Sequence, residues 1–552
     1  MRSEREEGEG RTRITTLKKN IMLKNKYTLL LMICLTGGSV QAIDKTITAY
    51  GAIADGRTIN TKFIQEAIDD VAASGGGRVV VPPGNFMTGT LFLKSGVDLH
   101  VSLGAALLGA HTTDDYQKLY GRAALILANA QHHIAVSGEG IIDGQGQELM
   151  VDIFKKLRSG QIKHDSSWLF KRPSEGGRAM ILYFRGCTDV SVTGITLKNA
   201  SNWVQDYREC DGVLIHKITV QSTAYWNNDG IDITDSKNVR ITHCFINASD
   251  DALCLKSENP ESFCENIFVD SCTLRSSASG LKLGTASRGG FRNIKIRNLT
   301  IYDTYRSAIA LESVDGGFLE NIDIRNVIAT NTGNAIFIRR GRRNTNGAVG
   351  TLKGIYIANV KVQVPFLKPD QGYPLEGPPD HLRPGVDKTP KRPSSFHIYG
   401  HPFLPYNLIP SSIAGLPGYP VEDVTLENIE ISYGGGARKD IAYIPLHAIT
   451  SVPENEANYP EFSMFGELPS WGFYIRHARG IKMKNVKLSF VNDDFRPAMV
   501  LDDVSNVDLT DVQIPTATEM PMILLNNTSG VTMKNLSIPV SKEKAIMKAN
   551  YK

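Results

Sequence analysis

Between Trp226 and Arg339, two aliphatic residues flank a variable one at intervals of 22 to 28 residues. The copies read Asn228-Asp-Gly-Ile-Asp-Ile233, Asp250-Asp-Ala-Leu-Cys-Leu255, Ala278-Ser-Gly-Leu-Lys-Leu283, Arg306-Ser-Ala-Ile-Ala-Leu311 and Gly333-Asn-Ala-Ile-Phe-Ile338. Alternation of period two over so few residues predicts short strands with one buried face. Repetition at this interval predicts stacked coils, none of which buries its apolar face alone.

A second series runs through Val190, Val213, Val239, Ile267, Ile294 and Ile322, each opening an aliphatic-x-aliphatic strand, with offsets of 23, 26, 28, 27 and 28 residues. It resumes at Ile355, Val424, Ile481 and Val531. Two or three strands per coil without intervening helices predict an all-β fold, a right-handed parallel β-helix occupying residues 43–552 as one domain. Phe63, Ile64, Ala67, Ile68 and Val71 recur at helical spacing, predicting a short N-terminal capping helix over Thr61–Ala73 that covers the open end of the first coil. Pro365–Pro420, rich in Pro, Gly and aromatic residues, breaks the period and reads as a long loop insertion beside the groove.

Composition changes this picture little. Gly (50) and Pro (25) are near average usage, which excludes collagen-like order. Residues 1–42 hold eight Lys/Arg and four Asp/Glu, leaving 53 groups of each sign in the remainder. A neutral mature chain gives no reason to expect nucleic acid as a partner. Lys24 and Lys26 precede an apolar run from Tyr27 to Leu35 and a small-residue site at Val40-Gln41-Ala42, the pattern of a signal peptide cleaved after Ala42. The run is too short to span a bilayer, so export to the periplasm or the extracellular space is expected, with no membrane span. Six cysteines remain, of which Cys187, Cys210 and Cys264 share one repeat position and Cys244 and Cys272 another; this predicts thiols stacked in the core.

The candidate chemistry lies in the register of two neighbouring copies. Asp229 and Asp251 are one coil apart, and Asp250 aligns with Asn228, so three carboxylates meet within two rungs. Such crowding opposes folding through mutual repulsion. Inverting glycoside hydrolysis uses it: one carboxyl donates a proton to the leaving oxygen while another activates water. Turn aspartates and calcium ligands remain alternatives on spacing alone.

Asn227-Asn-Asp-Gly-Ile-Asp232, Ser249-Asp-Asp-Ala252 and Leu255-Lys-Ser257 resemble the paired aspartate motifs of glycoside hydrolase family 28, the polygalacturonases and rhamnogalacturonan hydrolases. Asn199-Ala-Ser-Asn-Trp203, Tyr50-Gly-Ala, Asp55-Gly56 and Gly75–Gly84 add to the resemblance. It implies a pectin-lyase-like solenoid, inversion at the anomeric carbon, no cofactor and no metal, with Asp250 as general acid and Asp229 and Asp251 holding and deprotonating the water. The sequence departs from the family where its Gly-His-Gly aligns with Ala278-Ser-Gly280 and its carboxylate-gripping Arg-Ile-Lys with Ala310-Leu-Glu312.

Replacement cations stand on the same face. Lys256, Glu312 and Arg339 share one column and Lys282 lies one rung from Ala310, so a uronate carboxylate has binding candidates there, although the same charges could merely neutralise the face. Asn228 lies beside the acids. Trp203 and Trp226 are candidate sugar-stacking residues; Tyr459, Phe465, Trp471 and Tyr474 form a second, weaker set. The expected function is cleavage of α-linked galacturonic acid in a pectic polysaccharide or oligosaccharide, of exo-polygalacturonase or rhamnogalacturonan galacturonohydrolase type, with the Pro365–Pro420 loop blocking the groove. A calcium-dependent pectate lyase and a non-catalytic carbohydrate-binding β-helix are the alternatives.

Overall fold

The computed structural model describes residues 43–163, 174–369, 406–440, 444–514 and 521–551. One wall of stacked parallel strands passes through Val79, Leu99, Val136, Val192, Ile215, Ile241, Val269, Ile296, Ile324, Ile357, Leu426, Met483, Leu509 and Met533, each in register with the next. All but Met533 are completely buried. This column is the second aliphatic series of the sequence with its offsets intact. It gains one rung that the periodicity reading passed over, Val507-Asp-Leu-Thr510 between Ile481 and Val531.

The fold is therefore a parallel β-helix, of the right-handed sense that parallel crossovers strongly favour. Helix α1 (Thr61–Ala73) caps it, burying Ile64, Ala67, Ile68 and Val71 in the core of the first coils. The expectation of no intervening helix is corrected by α2 (Gly146–Ser159), whose Leu149, Met150, Ile153 and Phe154 recur at helical spacing and pack with Tyr225 and Ala179. The loop boundaries also change. Ser411–Ala414 is a rung, paired with Phe337–Arg339 on one side and Phe473–Arg476 on the other. Residues 370–405 of that predicted loop, and the predicted leader at 1–42, lie outside the described residues. All six cysteines of the described chain are free and buried.

Turns between coils are held by a column of asparagines that the sequence reading did not single out. Asn298, Asn326, Asn359, Asn428 and Asn485 all have φ between 53° and 61°, the left-handed region that asparagine tolerates. Their side chains form a ladder: Asn326 donates to Asn298 at 2.9 Å, Asn359 to Asn326 at 3.0 Å, Asn428 to Asn359 at 2.9 Å and Asn485 to Asn428 at 2.9 Å. Replacing Asn359 by Ala removes two of these bonds and leaves on left-handed backbone a residue that tolerates it less well than asparagine, an expected loss of about 1–3 kcal/mol. Asn359→Gly loses the same bonds without the backbone strain and should fall between the two in denaturant midpoint. Equal midpoints for the Ala and Gly variants would contradict this account of the turn.

Candidate functional site

The acidic turns sit where outward side chains of successive rungs share columns. Ile231↔Leu253 and Leu253↔Leu281 pairing sets Asp229 beside Asp251 and Asp251 beside Ser279. The backbone agrees: the Gly230 amide donates to the Asp251 carbonyl at 2.9 Å and the Ala252 amide to the Ser279 carbonyl at 3.0 Å. Asp229 and Asp251 are nearly inaccessible, whereas Asp250 is partly exposed. Asp250 Oδ1 accepts the Asp251 amide at 3.0 Å and its Oδ2 accepts Asn227 Nδ2 at 3.4 Å.

Two lysines hold this cluster together. Lys256 Nζ lies 2.6 Å from Asp229 Oδ2 and also bonds Asp232 Oδ1. Lys282 Nζ lies 3.1 Å from Asp251 Oδ2 and donates to the Tyr459 hydroxyl at 3.0 Å. Burial pushes Asp229 well above the usual carboxylate range and Asp232 up to about 7, against the pull of Lys256. For Asp251 burial acts in the same upward direction, but Lys282 and then Arg306 outweigh it and hold the carboxyl below its ordinary value. The Ser279 amide adds a hydrogen bond to Asp251 Oδ1 at 3.0 Å. One rung thus favours a proton on its buried acids and the next favours a carboxylate.

Other predicted site residues fall differently. Asn228 is completely buried, its amide donating to the Ala200 and Asn202 carbonyls at 2.9 and 2.8 Å and its oxygen accepting Ser222 Oγ at 2.9 Å, so it clamps the turn and does not face the groove. Arg339 is likewise buried, donating to the Gly415 and Glu454 carbonyls at 2.9 and 2.6 Å. Glu312 is buried above Thr285, whose hydroxyl donates to it at 3.2 Å. Trp203 does not offer a free ring: Lys256 Nζ lies 3.8 Å from its centroid and the Arg122 guanidinium 4.8 Å. Trp226 is partly buried beside Tyr225 and α2. Of the second aromatic set, Phe465, Trp471 and Tyr474 are core residues, while Tyr459 is 37% exposed and stands at the acids.

One column shows where the groove ends. Asp206, Asp232, Cys254 and Lys282 succeed one another outward on adjacent rungs, and the same column continues as Ala310 and Phe337. Ala310, Phe337, Tyr474 and Val500 are covered by Ile449, Val452, Phe462, Met464, Phe465 and Leu468, a second apolar core on the outside of the solenoid. Residues 446–471 therefore fold back over the rungs beyond Lys282 and close the groove there. Sequence reasoning took Tyr459, Phe465 and Trp471 of this segment for weaker sugar-stacking candidates but missed that it folds back, and with that Arg306 and Glu461, joined at 3.1 Å.

A metal is the other use for clustered acids. Asp229, Asp251 and Cys254 bring ligand-type atoms within 4.8 Å of one another. The set does not suit calcium, which takes oxygen ligands: Cys254 offers sulfur, burial pushes its thiol well up, and each carboxylate already carries an ammonium.

Residues 73–364, more than half of the chain and including every rung of the acid cluster, match the profile of glycosyl hydrolases family 28. The chain belongs to this family. It is 25% identical over 344 residues to a probable polygalacturonase of Vitis vinifera, covering 59% of this chain and 62% of that protein. It is 29% identical over 247 residues to an exo-poly-alpha-D-galacturonosidase of Dickeya chrysanthemi, covering 38% and 41%. The chain thus spans less than two thirds of either relative. The family 28 exopolygalacturonase of Yersinia enterocolitica shares the fold at a TM-score of 0.53 and 19% identity, covering 91% of this chain and 80% of that one. Tyr459 and Glu461 lie outside the span that the family profile matches.

As a family 28 site built on buried charge, the cluster should couple to pH. Burial pushes Glu312 up to about 7, with Lys282 opposing. An unfolded glutamate titrates near 4.3. Between about pH 4 and about pH 7 the folded state keeps a proton that the unfolded chain releases, so this group's contribution to stability is lost as pH rises through that window. Glu312→Gln removes the effect, and its melting temperature relative to the unsubstituted chain should rise between about pH 4 and about pH 7 and level off above. A difference independent of pH would show that Glu312 does not titrate there.

Proposed function

We propose that this chain is an exported glycoside hydrolase that cleaves α-linked galacturonic acid in pectic chains with inversion, acting at chain ends in the manner of an exo-polygalacturonase or rhamnogalacturonan galacturonohydrolase. The observation that carries the reading is the meeting of Asp229, Asp250 and Asp251 on adjacent rungs, just before the rungs that residues 446–471 cover. The names of the relatives from Vitis vinifera and Dickeya chrysanthemi support the polygalacturonase class. Residues 446–471 cover the rungs beyond Lys282, and a groove stopped on that side supports exo action.

In this mechanism Asp250, the most accessible of the three acids, donates its proton to the departing glycosidic oxygen. Asp251, kept ionised by Lys282 and Arg306, takes a proton from the attacking water. Asp229, whose burial favours the neutral form, orients that water by a hydrogen bond. Lys256 keeps Asp229 and Asp232 together without placing net negative charge beneath the sugar.

Asp250→Asn keeps the shape and removes the proton, so kcat on oligogalacturonate should fall on the order of 10²–10⁴-fold with a smaller change in KM. Retained turnover would remove Asp250 from the role of acid. Lys282→Met takes the cation from Asp251, so the acidic limb of its kcat/KM profile should move to higher pH. An unmoved limb would mean that Asp251 is not the base, or that Lys282 does not govern it.

A further inference from the structure

The family's carboxylate-gripping cations are absent from their usual places, and most of the cations near the acids are already committed. Lys256 lies between Asp229 and Asp232, and Lys282 is held by Asp251 and the Tyr459 hydroxyl. Arg306 differs. Its amide donates to the Ala278 carbonyl at 2.9 Å, which puts it two rungs beyond Asp250 in the same turn column, about 10 Å away at the rung spacing of parallel strands. A single sugar with its substituents bridges that distance.

Its guanidinium is aimed from outside the solenoid. Nε faces Glu461 Oε2 at 3.1 Å, and the Tyr459 ring centre is 5.8 Å from the guanidinium carbon. Among the described residues the two Nη groups make no hydrogen bond, although the side chain is only 14% exposed. Two parallel N–H donors with no partner, in a desolvated wall beside an exposed tyrosine, match a carboxylate in shape and charge.

We propose that Arg306 binds the carboxylate of the sugar at the closed end of the groove, with Glu461 setting the angle of the guanidinium and Tyr459 stacking on the ring. The assignment rests on the pectic reading given above and adds that uronate recognition has moved from the family's usual positions to a pair formed with the segment at residues 446–471. Glu461 and Tyr459 are contributed from beyond the span that the family profile covers, so this part of the site is not read from the matched region.

The test compares a galacturonate-terminated oligosaccharide with the same oligosaccharide reduced at its terminal carboxyl, using the full chain. Because Glu461 is buried, the informative variant is Arg306→Gln with Glu461→Gln, which leaves no unpaired acid. The ratio of kcat/KM for the acidic over the neutral substrate should fall about tenfold to a hundredfold; the loss of the hold that Arg306 has on Asp251 slows both substrates alike and cancels in that ratio. Arg306→Lys, which preserves the pair with Glu461 but not the parallel donors, should give an intermediate ratio and serves if the double variant does not fold. Equal loss on both substrates, or an unchanged ratio in the variants of a uronate-preferring chain, overturns the assignment alone. An unsubstituted chain that fails on the acidic substrate overturns the pectic reading and this assignment with it.

Discussion

Charge neutralisation between neighbouring rungs is the interaction on which the site depends. In-register parallel strands place side chains of one column about 4.8 Å apart, so acids that recur at a repeat position are forced together. Asp229, Asp232 and Asp251 could not all be ionised there without help. Lys256 and Lys282 enter from the two following rungs, the first between Asp229 and Asp232 and the second beside Asp251, and convert a repulsive stack into an alternating one. Because both lysines are themselves buried, removal of either partner leaves an uncompensated charge in a low-dielectric wall. The same arrangement favours protonation on one rung and ionisation on the next, so folding and chemistry draw on one set of contacts.

Around that cluster the solenoid makes an open face into a site with an end. The groove column is polar from Asp206 to Lys282 and mostly apolar from Ala310 onward. An apolar outer face on a β-helix must be covered, and the segment with Ile449, Val452, Phe462 and Phe465 covers it. Covering that face also delivers Tyr459 and Glu461 to the acids. Closure, and the uronate recognition proposed above, are therefore consequences of one packing requirement.

The fold was legible because a solenoid writes its core as a repeat. The aliphatic columns, the capping helix and the meeting of Asp229 with Asp251 all follow from spacing. What escaped has physical reasons. The Val507 rung was hidden in a gap of two coil lengths, and Ser411–Ala414 in a stretch rich in turn residues. Helix α2 carried its own signal in Leu149, Met150, Ile153 and Phe154 but interrupts the strand period. The status of Trp203 could not be read, because nothing local says that cations already cover a ring. Asn228 looked like a groove residue because its neighbours are, and its burial depends on carbonyls from the previous coil. Arg306, Tyr459 and Glu461 meet only through a segment that folds back over the solenoid, a contact with no periodicity.

The central claim is that the rung aspartates drive a single displacement by water. Proton NMR of the first product released from an α-linked oligogalacturonate, followed before mutarotation, tests it directly. The account predicts that the newly formed reducing sugar appears as the β-anomer and only later equilibrates. First appearance of the α-anomer, or of an unsaturated uronide, would contradict it.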